Sequence, residues 1–332
     1  MEKYILNKTP LRTTNGFKIN DLEIELDIPE VGKFVEYRFS ENLNAKQEVK
    51  DNFTSRIGLE HNKYLNVDIV IDKEYENNII IDSDDNLVSI INITFKKNSN
   101  ANLIFRYKSD KEVFNNVKFV INSEKNSKGN ISIVNMLNKD SKNIVAIENY
   151  VNGDITINYV DLGGSLRISN YYAELNENSI NNFNNMYFGK DTERIDMNYL
   201  VKLLGKNSEG NMNVQGALDD KAYKTFKGTL DFVEGAKGSV GKENENCVLL
   251  SDDIINRSLP MMLCHEEDVA GAHGVSAGKI DKSKLFYLMS RGLDEDEARR
   301  LIINANFAQV INNIPDEEIR HEILKEIEKE VG

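Results

Sequence analysis

Tryptophan is absent from the 332 residues, proline and histidine occur four times each, and cysteine occurs twice. Two thiols, Cys247 and Cys264, are too few for the disulfide framework of a small secreted domain, so a reducing cytoplasm is the expected compartment. The chain holds no run of about 18 apolar residues, the length a spanning helix needs, so no membrane span is expected. The opening stretch Met1–Asn7 has no long apolar core of the kind a signal peptide carries. Positive charge is the minority sign: 41 Lys and Arg against 54 Asp and Glu leave a formal net charge of −13. That balance argues against a nucleic-acid partner, which demands a basic surface, and against docking on anionic lipid.

The scarcity of proline is also positional. Pro10, Pro29, Pro260 and Pro315 leave none between Glu30 and Leu259, as expected of a long run of paired strands, because proline removes a ladder donor. From about residue 61 to 280, short apolar runs recur roughly every ten residues. Val67–Ile71, Leu87–Ile91, Ala101–Phe105, Val117–Ile121, Ile131–Val134, Ile155–Tyr159 and Leu166–Ile168 are examples, and many alternate apolar with polar. Asn, Gly, Asp and Ser fill the gaps, residues that tolerate the backbone of tight turns. More than ten short strands without intervening helices leave a sandwich, a propeller or a β-helix. A short, steady turn-then-strand step without a blade signature suits the β-helix. Residues 1–60 are mixed: Asp21–Leu26 alternates, and Val31–Phe39 is a candidate strand.

After about residue 281 the period becomes helical. Leu285, Leu288 and Met289 fall at i, i+3 and i+4, and Gly292 follows as a stop. Asp294 with Glu297 three residues on has the form of a capping box, and Ala298, Leu301, Ile302 and Ala305 are expected to form the apolar stripe of that helix. Pro315 suits the first turn of a third helix with Ile319, Ile323, Leu324 and Ile327 as its buried face. The organisation expected is an N-terminal segment 1–60, a β-helix core 61–280 and a small helical domain 281–332.

One polar cluster stands out: Cys264-His265-Glu266-Glu267-Asp268, with His273 five residues later. Thiolate, imidazole and carboxylate together can hold iron or zinc. A plainer reading stands beside it, a small buried thiol and a solvated acidic turn. In one continuous straight strand Cys264, Glu266 and Asp268 would share a face opposite His265, Glu267 and His273, unless a bulge at Gly271 reset the register. Cys247 is expected to be a strand residue beside a core run, and His61 and His321 surface residues. Gly238–Lys242 lacks the full spacing of a phosphate loop, and no nucleophile–base set is present.

Phe226–Phe232, Leu249–Ser251, Glu267–Val269, His273-Gly274 and Leu285–Gly292 resemble, in order and spacing, the SufB/SufD family of iron–sulfur cluster assembly scaffolds. Arg194–Asp196 and Gly216–Leu218 fit the same pattern upstream. The resemblance extends over about 193–311. It implies a mainly β chain, a right-handed parallel β-helix with a C-terminal helical domain. It further implies pairing with a second SufB/SufD-type chain, in a homodimer or heterodimer, near the last turns. A SufC-type ABC ATPase would sit on the helices, through Phe286, Tyr287, Leu288, Met289 and Arg291. The chain would be a scaffold and not an enzyme, carrying a transient iron–sulfur cluster.

By that resemblance His273 matches the SufD-type histidine and Gly274 is SufD-like, while Glu245 stands where SufB-type chains have a cysteine and Cys247 lies two residues on. The segment Cys264–Val269 is similar to short archaeal and clostridial members. Cys264 and His273 would then contact the cluster, and Glu266, Glu267 and Asp268 would supply oxygen ligands. The rival expectations are a purely structural partner subunit without metal ligands and a polysaccharide-active β-helix enzyme.

Overall fold

The computed structural model describes residues 2–10, 19–29, 36–41 and 43–331. Within them the chain passes back and forth between two sheets of nine strands each. One sheet ends in Glu209–Leu218, Val240–Leu249 and Ala270–Lys279, the other in Arg194–Leu203, Tyr223–Phe232 and Ile255–Cys264. Strands within a sheet run parallel, apart from an antiparallel pair at the start of each: Asn44–Phe53 with His61–Ile71, and Arg38–Phe39 with Ile79–Ser83. The architecture is a parallel β-helix with two strands per turn. A turn takes from 24 residues, where Leu65 pairs with Ser89 (89 − 65), to 32, where Tyr223 pairs with Ile255 (255 − 223).

Two periodicities build this solenoid. Along each strand alternate side chains point inward, and their stacked rows form one continuous apolar lumen that includes Ile93, Phe105, Phe119, Ile133, Tyr171, Val201, Leu230 and Phe232. From turn to turn, the same corner recurs. Asn98, Asn126, Asn178, Asn207 and Gly238 all adopt positive φ. Asn126 donates its amide to Asn98 at 3.4 Å and Asn207 to Asn178 at 3.5 Å. Asparagine accepts the left-handed backbone more readily than other side chains do, and here its amide also joins successive turns.

Both outer faces are covered. Glu2–Leu6 and Leu22–Leu26 form an antiparallel hairpin whose Leu6, Leu22 and Leu26 pack on Val88, Phe114, Ile144 and Ile168. The alternation at Asp21–Leu26 is thus a strand. Of the candidate strand Val31–Phe39, residues 31–35 lie outside the described residues, and Arg38–Phe39 is a strand. The other face carries the helices α1 (Lys282–Ser290), α2 (Glu295–Asn312) and α3 (Glu317–Val331). Ile303, Phe307, Val310, Ile319, Ile323 and Ile327 bury themselves against Ile104, Val134, Val160, Met186 and Phe188 of the sheet.

The helix ends follow the sequence signals closely. Asp281 caps α1, accepting from Ser283 N at 2.8 Å, and Gly292 follows it at φ +102°. Asp294 and Glu297 form the capping box, with bonds of 2.8 and 2.9 Å. Three expectations need correction. The buried row of α2 is Ala298, Ile303, Phe307, Val310 and Ile311, while Leu301, Ile302 and Ala305 face α1. Asp316, accepting from Ile319 N at 3.0 Å, caps α3, so Pro315 precedes the first turn. His61 is half-buried, edge-on to Phe53 and Phe114 and 2.8 Å from the Asn116 amide. Burial pushes its pKa down to about 4. Among the described residues no helix is long and apolar enough to cross a membrane.

Candidate functional site

At its first turn the solenoid ends in antiparallel strands, with Tyr37 packed into the lumen; at its last turn it ends in two parallel strands and is open. Ile255–Cys264 and Ala270–Lys279 each have a sheet neighbour on one side only, and all ten residues of Ala270–Lys279 are exposed. Pro260 lies in such an edge strand, where proline is tolerated. The open turn contains both candidate ligands. Cys264 pairs with Phe232, whose side chain lines the lumen, so Cys264 continues an inward row. His273 pairs with Glu243, on the row Gly241, Glu243, Glu245 and Cys247, every member of which is buried. One sheet thus presents the thiol and the other the imidazole at the mouth of the lumen.

The reading of residues 264–273 as one straight strand does not hold. Cys264 ends its strand, residues 265–269 turn across to the other sheet, and Ala270 starts the next. Gly271 is regularly paired with Gly241 and hosts no bulge. A Cβ there would come within 2.7 Å of Met262 Sδ and 3.1 Å of Phe232, so glycine admits the opposite sheet. A cavity of about 440 Å³ opens at this corner between Cys264, His265, Glu266, Glu267 and Met262.

The acidic residues have different occupations. Glu266 accepts from the backbone N–H groups of Gly235 at 3.1 Å, Glu267 at 3.1 Å and Asp268 at 3.4 Å, and these bonds hold its pKa below the ordinary carboxylate value. Its carboxylate organises the turn. Asp268 lies 3.6 Å from Lys237, and Glu267 is exposed. The Cys264 thiol is 3.2 Å from the Glu266 carbonyl oxygen. Among the described residues no three His, Cys, Asp or Glu side chains are grouped so that they could hold a metal ion. Cys264, Glu266, Glu267, Asp268 and His273 therefore share one end of the fold without forming a single ligand set within this chain.

Below the mouth lies a buried polar cluster, of which only Glu245 and Cys247 stand out in the sequence. The Lys224 ammonium contacts Glu245, both fully buried, and donates to Ser258 at 2.8 Å. Tyr187 donates to Glu245 at 3.2 Å. Glu243 is 2% exposed, and neither of its carboxylate oxygens has a hydrogen-bond partner. Burial first, and the neighbouring Glu245 second, raise its pKa to about 8. Cys247 is 1% exposed, and burial raises its pKa to about 11, so it is a thiol at neutral pH. The signal was present in the period-2 spacing of Glu243, Glu245 and Cys247.

On the helices, of the residues expected to bind a partner, Phe286 is 74% exposed, Tyr287 56% and Met289 40%, while Leu288 is half-buried. The Arg291 guanidinium lies 5.3 Å from the Tyr287 ring centroid. Between α1 and α2, Tyr287, Leu288, Leu301, Ile302 and Ala305 line a groove of about 410 Å³.

Residues 79–306, more than half of the chain, match the family model described as SUF system FeS cluster assembly, SufBD core domain. The iron–sulfur cluster assembly protein SufD of Bacillus subtilis is 32% identical over 145 residues, 43% of this chain and 32% of that protein. SufD of Escherichia coli is 26% identical over 167 residues, 50% of this chain and 40% of that protein. A SufBD family protein of Pyrococcus horikoshii is 30% identical over 174 residues, 52% of this chain and 38% of that protein. The aligned segments thus take in 32–40% of these relatives' own length. With its parallel β-helix and this match across the core, the chain belongs to the SufB/SufD family of iron–sulfur cluster assembly proteins.

Proposed function

We propose that the chain is a non-catalytic scaffold of the SUF system in the cytoplasm, on which iron–sulfur clusters are assembled with a SufC-type ABC ATPase and a second SufB/SufD-type chain. The observation that carries this reading is the uncapped last turn, which offers Cys264 and His273 from its two inward rows. Two open strand edges beside them are the kind of surface that pairs with another chain. The ligand set that one chain leaves incomplete would be finished by that partner, with Glu267 the acid of the turn least committed elsewhere. A thiolate suits iron and sulfide, and an imidazole suits iron. The ATPase is assigned to the segment 281–332, through Phe286, Tyr287, Leu288, Met289 and Arg291, and the cluster to the last turns of the core 61–280. Within the segment 1–60, the hairpin Glu2–Leu6 and Leu22–Leu26 covers one outer face, and Arg38–Phe39 and Asn44–Phe53 extend the two sheets.

Co-expression with the ATPase tests the reading. The complex should co-purify and, on anaerobic reconstitution, hold iron and labile sulfide in near-equal amounts. A complex that forms and stays free of iron and sulfide would make the chain a structural subunit.

A further inference from the structure

Glu243 is out of place as an ordinary core residue. A buried carboxylate is costly unless it is paired, hydrogen-bonded or metal-bound, and neither Glu243 oxygen has a hydrogen-bond partner. Its neighbour on the same row, Glu245, has the Lys224 ammonium and the Tyr187 hydroxyl. Lys224 donates its other hydrogen bond to Ser258 and lies near the Tyr187 and Phe226 rings, so that ammonium is engaged away from Glu243. The Glu243 carboxylate instead reaches across the lumen to Gly228, where any Cβ would collide with its Oε1. Glycine at 228 therefore makes room for that carboxylate.

Directly outward of Glu243, one strand further along the sheet, stands His273. Side chains paired in register on parallel strands point the same way, about 4.8 Å apart. The carboxylate is sealed from solvent, whereas the imidazole is exposed at the open turn. We propose that Glu243 and His273 together form a loading site for a divalent transition-metal ion, with iron(II) as the cargo, His273 as the entrance ligand and Glu243 as the buried anchor. Carboxylate oxygen and imidazole nitrogen are an apt pair for such an ion. A cation bound there would take the place of the proton that burial otherwise keeps on Glu243. The remaining coordination positions fall to water, or to the partner chain in the assembly. The inference rests on the scaffold reading for the identity of the cargo, but not for the existence of the site.

The probe is cobalt(II), an air-stable stand-in for iron(II), titrated into the purified full chain and followed by its visible absorption and by thermal unfolding. Wild-type protein should bind one equivalent and unfold at a higher temperature with metal than without. Glu243→Gln keeps the shape and removes the group that can ionise to an anionic ligand. It should bind cobalt at least tenfold more weakly, lose the metal-dependent shift, and unfold no earlier than wild type in metal-free buffer. His273→Ala should weaken binding similarly. Glu243→Gln binding as tightly as wild type, or no cobalt binding by the wild type, overturns the proposal. The two readings fail separately. Loss of cobalt dependence on Glu243, in a complex that still assembles clusters, removes this site alone. Glu243-dependent cobalt binding, in a complex that never assembles clusters, leaves a cation site and removes the scaffold reading.

Discussion

Burial decides what each cysteine can do. Cys247, in the lumen with its pKa pushed up to about 11, is held as a thiol, and a buried thiol is unreactive. Cys264 faces solvent. Iodoacetamide at neutral pH should therefore label one cysteine in the native protein and two after denaturation, with peptide mass mapping the native adduct to Cys264. A native adduct on Cys247 would show that the lumen opens. His61 gives a pH dependence whose sign is fixed by burial. Its folded pKa of about 4 lies below the ordinary 6.5, so the unfolded chain binds its proton first, and stability is lost as pH falls from about 6.5 towards 4. With part of the ring in water, that loss should be about 1–2 kcal/mol. Denaturant unfolding of wild type and His61→Gln at pH 7 and pH 5 should show the gap between them shifting in favour of the variant at low pH. At this scale the sequence was hardest to read. Covered outer faces bury both rows of the central strands, so alternation alone does not separate lumen from outside, and the pairing of Lys224 with Glu245 beside Glu243 is not legible in the sequence.

Among the elements, strands and helix ends were legible because their signals are local. The asparagine-rich corners, the Asp294–Glu297 capping box and Gly292 depend on a few neighbouring residues. The buried row of α2 depends on what the helix meets, and it meets two things. Phe307 and Ile303 face the sheet, while Leu301 at 49% exposure and Ile302 face the groove beside α1. The straight strand drawn through Cys264–His273 missed for the same reason, since a corner between two sheets interrupts the alternation. Thermal or denaturant unfolding of the full chain should rank two substitutions in α2. Asp294→Ala should cost about 1 kcal/mol, the loss of a cap. Phe307→Ala should cost about 3–5 kcal/mol, the loss of a fully buried ring between helix and sheet. Equal costs would mean that α2 does not share the sheet's core.

For the molecule as a whole, the two ends of the solenoid differ: the first turn ends in antiparallel strands with Tyr37 in the lumen, the last in a fully exposed parallel strand. Removing everything after Ile280 would strip α2 and α3 from Ile104, Val134, Val160, Met186 and Phe188 and expose an apolar sheet face, inviting aggregation. Point substitution is the cleaner probe of the ATPase surface. Phe286→Asp, at a side chain that faces solvent, should leave the unfolding midpoint unchanged and reduce ATPase co-purification at least tenfold; undiminished co-purification would place that surface elsewhere. The central claim is that cluster chemistry takes place at the open turn, and counting iron and labile sulfide after anaerobic reconstitution of the ATPase complex tests it most directly. With β-structure checked by circular dichroism, Cys264→Ser and His273→Ala should each lose most of the cluster, because serine and alanine supply no comparable ligand, while Cys247→Ser should assemble it normally. Normal clusters in both Cys264→Ser and His273→Ala, or failure in Cys247→Ser alone, would contradict the account and move the chemistry away from the open turn.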